Sequence, residues 1–102
     1  MTLSSEARVA TDRPERYGSQ LVKHFGNKIE ASWADGAGNL TFGMGTASLQ
    51  SEDGILRMRV TAPDQESLAQ MQEVVGSHLV RFGQRDELVV QWQSVGSVGD
   101  AQ

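Results

Sequence analysis

The sequence predicts an α+β protein, a two-layer sandwich in which both helices cover one face of a mostly antiparallel sheet. Six segments alternate apolar with polar residues, as half-buried strands do. Two other segments repeat apolar residues at three- and four-residue steps, as amphipathic helices do. The length of 102 residues provides for one hydrophobic core and not for two. The predicted order of elements is β-α-β-β-β-β-α-β.

The first strand is predicted at Glu6–Ala10, and a helix follows it directly. Thr11 or Asp12 is expected to cap this helix, because both side chains can accept a hydrogen bond from a free backbone N–H. Asp12 with Glu15 three residues later has the spacing of a capping box. The helix is predicted to end at about Phe25, since a Gly-Asn pair follows.

Four strands are predicted in the middle of the chain. The dipeptides Asp35-Gly36 and Asp53-Gly54 are strong hairpin turns, and the run Gly43-Met44-Gly45 separates the two hairpins. The residues expected to point inward from these strands are Ile29, Ala31, Trp33, Leu40, Phe42, Ala47, Leu49, Leu56, Met58 and Val60.

The second helix is predicted to begin at Pro63-Asp64 and to stop at Gly83. Its apolar stripe consists of Leu68, Met71, Val75, Leu79 and Phe82. A last strand should place Leu88, Val90 and Trp92 inward. Residues 1–93 are therefore expected to form a single domain, and 94–102 a disordered tail.

The two ends of the chain resemble each other. The segment from Gly18 to Lys23 recurs as Gly76 to Arg81, with Gly-Ser and Leu-Val at the same positions. Each helix then leads to a strand that ends near a tryptophan, Trp33 or Trp92. The pattern predicts two βαβ-like halves joined by a central hairpin, and it fits both duplication and convergent patterning.

The composition excludes several classes of function. The chain has no cysteine, so disulfides, thiolate zinc sites and cysteine nucleophiles are absent. A net charge of −4 places it at a disadvantage for binding nucleic acid. No apolar run approaches the roughly 20 residues that span a bilayer, and no secretory signal is visible. We therefore expect a cytoplasmic protein with neither nucleic acid nor membrane as partner.

Several segments resemble a known family, namely Arg8-Val9, Arg16-Tyr17, Gln20-Leu21, His24-Phe25-Gly26, Lys28, Val74-Val75, His78-Leu79, Phe82-Gly83 and Leu88-Val89-Val90-Gln91-Trp92. The sequence is similar here to uncharacterised bacterial family number twenty-two eighteen of the domains of unknown function. The resemblance covers the chain apart from its two tails. Some members look like companions of siderophore-interacting, flavin-dependent ferric reductases. The resemblance therefore implies a context of iron acquisition with such a reductase as partner, and it implies no activity.

The two histidines, His24 and His78, are both predicted on helices at the border of the apolar stripe. If the helices pack side by side, Gln20, His24 and His78 converge on the groove between them. Imidazoles there are candidates for binding a metal, a carboxylate or a flavin phosphate. The alternative is a pair of hydrogen-bonded border histidines, because a protein metal site usually has three or four ligands. Glu73 and Asp86 are the possible carboxylate partners.

Tyr17 is a further candidate ligand residue, since its hydroxyl lies on a buried stripe. The alternative is a core tyrosine whose O–H finds a polar partner, as buried tyrosines normally do. Trp33 and Trp92 are expected to be core residues.

Arg8, Arg57 and Arg59 are predicted on the outward face of the sheet. No aromatic residue alternates outward with them, which disfavours an RNA-binding sheet. A solvated face or a homodimer interface is the expectation. The arginines should then pair with Glu6 or Glu30 of the same face or of a partner subunit.

The leading functional hypothesis is a small binding or accessory module, linked by resemblance to siderophore or ferric-iron handling. The first alternative is a small acid–base or metal-dependent enzyme that uses a histidine-lined groove. The second is a structural homodimer formed through the open sheet face. No nucleophile motif favours an enzyme, and the sequence identifies no cofactor.

Overall fold

Two helices and a six-stranded antiparallel sheet form the protein, whose computed structural model describes residues 2–95. The helices are α1 (Pro14–Phe25) and α2 (Gln65–Phe82), and a short 3-10 turn at Gln84–Asp86 follows α2. The strands are β1 (Leu3–Ala10), β2 (Glu30–Ala34), β3 (Ala37–Phe42), β4 (Gly45–Glu52), β5 (Ile55–Ala62) and β6 (Gln93–Val95). The predicted α+β class and order of elements are confirmed. Within residues 2–95, neither helix is long and apolar enough to cross a membrane.

The strands lie in the order β2-β3-β4-β5-β1-β6, and every neighbouring pair is antiparallel. It follows that β1 runs parallel to β2 with three strands between them, and β5 runs parallel to β6 with only β1 between them. The predicted central hairpin is β3–β4. The two predicted βαβ-like halves are therefore unequal, because α1 crosses over a wide part of the sheet and α2 over a narrow one.

Both helices pack on one face of the sheet, as predicted. Leu56, Met58 and Val60 of β5 are fully buried and lie beneath them. From above, Leu21 of α1 and Leu79 of α2 fill the core with no exposed surface. Each helix has one apolar stripe, and each stripe is buried against this sheet face.

The predicted capping box at the start of α1 is wrong. The helix begins at Pro14, and Arg13 stands at the N-cap position without a side-chain cap. The cause is the proline, which disfavours helical geometry at the residue before it. Instead of Asp12 and Glu15 capping the helix, Thr11 accepts a hydrogen bond from the Arg13 backbone N–H at 3.0 Å.

The predicted start of α2 and the predicted β2–β3 turn are confirmed. Asp64 caps α2 by accepting the Ser67 backbone N–H at 2.7 Å, and this bond lowers the pKa of Asp64. In the β2–β3 turn, Asp35 and Gly36 have φ of 54° and 77°. Positive φ at both central residues is what a type I′ hairpin requires.

The predicted last strand is wrong in its position. Residues 88–92 form no strand ladder, and β6 begins only at Gln93, where it pairs with Ser4–Glu6 of β1. Leu88 is nevertheless buried, and Val90 and Trp92 pack against the core. The alternating pattern thus predicted correctly which side chains are buried. It did not predict that residues 88–92, which follow the 3-10 turn, lie outside the hydrogen-bonded sheet.

The first strand is also longer than predicted, since it begins at Leu3 rather than Glu6. The added residues lie between β5 and β6 and pair with one or both of them. Ser94 belongs to β6, so the predicted disordered tail starts too early. The rest of that predicted tail, 96–102, lies outside the described residues.

Candidate functional site

The two histidines lie side by side. His24 is in the last turn of α1, His78 is one turn from the end of α2, and their ring centroids are 5.0 Å apart. Three phenylalanines surround them, since Phe25 lies 4.8 Å from His78, Phe82 lies 5.3 Å from His24, and Phe42 lies 5.2 Å from Phe25. These five rings form a cluster between the C-terminal halves of the helices.

The hydrogen bond of His78 defines which of its ring nitrogens is available. Nδ1 lies 2.7 Å from the carbonyl oxygen of Val74. Because a carbonyl oxygen only accepts, Nδ1 carries a proton in this bond, and the lone pair of the neutral ring is on Nε2. His78 thus has the backbone partner expected of a border histidine, and one nitrogen left for a ligand.

The other residues predicted to join the two histidines between the helices lie apart from the imidazoles. Gln20 is exposed and forms no hydrogen bond to either histidine among residues 2–95. Asp86 binds Tyr17, and Glu73 lines a cavity formed with residues 90–92. Within the described part of the chain, no group of three or more His, Asp or Glu side chains could hold a metal ion.

Tyr17 connects α1 to the 3-10 turn after α2. Its buried hydroxyl donates a hydrogen bond of 2.5 Å to Oδ2 of Asp86. This bond, with burial and the charge of Asp86, raises the pKa of Tyr17. Seven residues separate Tyr17 from His24, about 10 Å along a helix, so the predicted candidates occupy two separate places.

The outward face of the sheet carries a network of ion pairs centred on Glu6. Arg59 and Arg8 each lie 3.1 Å from a different oxygen of its carboxylate. Partial burial acts to raise the pKa of Glu6, but the hydrogen bonds and charges of Arg59 and Arg8 outweigh it, so this pKa lies below its usual value. Arg57 binds Glu52 at 2.7 Å. Each of the three arginines therefore pairs with a carboxylate of the same chain, and Arg8 and Arg59 share that of Glu6.

These ion pairs agree in part with the sequence prediction. Glu6 is the predicted partner of the arginines, whereas Glu30 forms no ion pair within the described range. The role of this face as a dimer interface stays a prediction. A shallow cavity of about 280 Å³ lies here, lined by polar side chains that include Ser48 and Gln50.

A larger cavity lies on α2, where sequence reasoning did not look. Its volume is about 570 Å³, and its lining consists of Ala69, Gln72, Glu73, Gly76, Ser77, Val80, Val90 and Trp92. A second cavity of about 550 Å³ shares Ala69, Gln72 and Trp92 with it and continues to Ser5, Gln65, Glu66, Leu68 and Ser94. We call the two together the α2 groove.

The shape of the α2 groove follows from Gly76 and Trp92. A Cβ at Gly76 would lie 3.2 Å from Nε1 of Trp92 and 3.4 Å from Cγ1 of Val90, so this part of α2 accepts close contact because it has no side chain. Trp92, predicted as a core residue, is half-buried and lines both cavities. One feature of the sequence could have indicated this groove. Gly76 lies in the middle of a predicted helix, where glycine destabilises the helix relative to alanine by up to about 1 kcal/mol.

Comparisons with known proteins agree with this fold. A family model described as an uncharacterised protein conserved in bacteria (DUF2218) matches residues 6–93. Among solved structures, the NMR structure of PA4090 from Pseudomonas aeruginosa is 34% identical, covers 89% of this chain and 95% of its own, and has a TM-score of 0.76. No curated protein matches the chain.

Proposed function

The chain belongs to this bacterial family of uncharacterised proteins, DUF2218, and we propose that it is a non-catalytic binding module whose site is the α2 groove. The observation that supports the proposal is the cavity of about 570 Å³ above Gly76. Small-molecule sites usually have about 300–1,000 Å³ and a mostly apolar lining with a few polar groups. The cavity over Gly76 has that size and that composition.

The apolar part of the groove is unusually open to solvent. Val80 is 41% exposed and lies on the same cavity as Val90 and Trp92. Exposed apolar surface that forms a concave patch with an aromatic side chain is typical of a binding site.

The polar part of the groove supports binding rather than group transfer. Ser77 is the hydroxyl closest in sequence to Gly76, and it donates a hydrogen bond to the Val74 carbonyl at 3.4 Å. The lining residues include no histidine or lysine that could activate this hydroxyl. The histidine or lysine that commonly activates a serine hydroxyl is therefore missing from the residues that line the groove.

Benzyl alcohol is a suitable neutral probe for this proposal. We expect a saturable shift of the Trp92 indole N–H signal in a proton–nitrogen correlation spectrum, whereas the Trp33 signal, away from the groove, should stay in place. Gly76→Leu fills the cavity and should abolish the shift. Gly43→Leu is the matched control, since a Cβ at Gly43 meets no atom within 4 Å.

A second variant keeps the test valid if Gly76→Leu does not fold. Val80→Lys changes a side chain that is already 41% exposed, so the fold should persist while the apolar lining is interrupted. A Trp92 signal that does not move, or that moves equally in Val80→Lys, would refute the binding module.

The family resemblance supports an accessory role beside a siderophore-interacting ferric reductase. We propose this partner as the first to test. Co-purification of a tagged chain with such a reductase supports the role, and free elution of both proteins when mixed at micromolar concentration contradicts it.

The histidine cluster favours a second candidate, a metal or acid–base site. His24 and His78 are close enough for two imidazoles to share one ion, with the remaining ligands supplied by a bound molecule. Zinc titration of the wild type should then show one site that His24→Ala or His78→Ala removes. A wild-type protein that binds neither zinc nor iron contradicts this candidate.

A further inference from the structure

The α2 groove carries negative charge without positive charge. Its lining includes the carboxylates of Glu66 and Glu73 and no lysine, arginine or histidine. Neither carboxylate takes part in an ion pair within residues 2–95. A cation that enters the groove thus meets attraction from the side chains and no competing intramolecular partner.

Trp92 adds a second and independent attraction for a cation. It lines both cavities of the groove, and an indole attracts a positive charge placed over its face. Its N–H, the donor of the ring, lies against Gly76 on the floor of the cavity. Trp92 is half-buried, and the exposed part of its ring lines the cavity as an apolar surface.

The spacing along α2 places a carboxylate beside this apolar floor. Glu73 lies three residues before Gly76, and Val80 lies four residues after it. Residues three and four apart share one face of a helix, with about 5–6 Å between neighbouring Cβ atoms. A ligand whose apolar body rests over Gly76 thus reaches Glu73 with a group one or two bonds long.

A hydrogen bond between Gln72 and Ser5 lies at the polar end of the groove. Ser5 is 1% exposed, and it accepts a hydrogen bond of 2.5 Å from Nε2 of Gln72. This bond uses a donor of Gln72 and leaves its carbonyl oxygen as an acceptor. Together with Glu73, that acceptor suits a ligand that donates hydrogen bonds, as an ammonium group does.

We infer that the α2 groove binds small primary ammonium compounds that carry a flat apolar group. The inference rests on the proposed function and names the class of ligand for the same site. The flat group packs on Trp92 over Gly76, and the ammonium group binds Glu73. No covalent step is involved.

Three probes of nearly equal size test this inference, namely benzylammonium, benzyl alcohol and benzoate. We expect benzylammonium to bind about fivefold more tightly than benzyl alcohol, because an exposed ion pair and a cation–π contact each contribute modestly. Benzoate should bind most weakly. Sodium chloride at roughly 0.5 M should reduce the preference for benzylammonium, since salt screens exposed charges.

Glu73→Gln identifies the side chain that is responsible. In this variant the affinity for benzyl alcohol should stay within a factor of about two, and the preference for benzylammonium should disappear. Glu15→Gln on α1 is the matched control, since it removes an exposed glutamate outside the groove. A preference that persists in Glu73→Gln would overturn the assignment.

The outcomes distinguish failure of the ammonium-ligand inference from failure of the proposed binding module. If benzyl alcohol shifts the Trp92 signal and benzylammonium binds no more tightly, the groove is a binding site and the cationic ligand is wrong. If none of the three probes shifts the Trp92 signal, both the binding module and its ligand are wrong.

Discussion

Gly18 of α1 and Gly76 of α2 hold corresponding positions in the repeated segment, and each lies against a tryptophan, Trp33 or Trp92. The two contacts differ in tightness. A Cβ at Gly18 would overlap the Trp33 ring, with Cζ3 only 2.6 Å away, whereas a Cβ at Gly76 would lie 3.2 Å from Trp92. The same local sequence therefore forms a closed contact in one half and a looser one in the other.

The valines of the repeat differ in the same way. Val22 is 8% exposed and Val80 is 41% exposed, although both follow a fully buried leucine. The cause is the topology of the sheet. α1 crosses the wide part from β5 to β2, so strands cover both flanks of its stripe. α2 packs on β5, β1 and β4, and the segment 88–92 beside it lies outside the ladder. The repeated sequence thus specifies a contact between a helix glycine and a tryptophan. The order of the strands determines whether a groove forms beside that contact.

The largest effect is expected for Trp33→Ala. Trp33 lies between Gly18 and Gly38, with Cε3 2.6 Å from where a Cβ of Gly38 would be. No side chain at either glycine can move into the space, so we expect a loss of about 3 kcal/mol in the free energy of unfolding. Trp92→Ala should cost about 1 kcal/mol, because Trp92 already borders a cavity. Urea unfolding measures both, and equal losses would contradict the comparison.

This comparison also shows where sequence reasoning succeeds. Leu56, Met58 and Val60 were assigned to the core because a sheet with one buried face requires alternation. Asp35-Gly36 was assigned to a hairpin because few residues adopt positive φ twice in succession. Both signals depend on neighbours in the chain, and a single sequence contains that information.

The features that the sequence did not predict depend on residues that are far apart in the chain. Val90 and Trp92 alternate as a strand does, yet their segment forms no ladder, because alternation records burial and not hydrogen bonding. The openness at Val80 depends on the order of strands far away in sequence. The proximity of His24 and His78 was anticipated only on condition that the helices pack side by side, and the phenylalanines around them were not.

Alanine at Gly18 and alanine at Gly76 should change the free energy of unfolding by smaller amounts and in opposite directions. Alanine is preferred to glycine within a helix by up to about 1 kcal/mol. At Gly18 the overlap with Trp33 should outweigh this gain, so Gly18→Ala should lose about 2 kcal/mol of stability.

Gly76→Ala is the matched variant in the open half. A shift of a few tenths of an ångström in Trp92 relieves its contact, and the helix gain then leaves stability unchanged or raised by up to about 1 kcal/mol. Thermal unfolding of both variants gives the comparison. A destabilisation of the same size at both glycines would show that the two contacts are equivalent.

A small loss of stability is expected for Tyr17→Phe, which tests whether the two halves are coupled. Tyr17 neighbours Gly18, but its partner Asp86 starts the segment that carries Trp92. Loss of this hydrogen bond should cost about 1 kcal/mol. Amide hydrogen exchange should accelerate at Asp86, Glu87 and Leu88, whose N–H groups are bonded within the turn, and stay unchanged near Trp33. Acceleration at both places would mean that the Tyr17 bond stabilises the whole core instead of the groove side.

The pKa of Tyr17 gives this prediction a pH dependence. Its folded pKa is raised, with the hydrogen bond to Asp86 as the main cause, so the neutral hydroxyl is the form that stabilises the fold. The contribution is complete below the unfolded pKa of about 10 and is lost as pH rises through the higher folded value. Wild-type stability should therefore fall more steeply than that of Tyr17→Phe at alkaline pH. Since the bond fixes the turn that leads to Trp92, the benzyl alcohol affinity of the wild type should weaken over the same range.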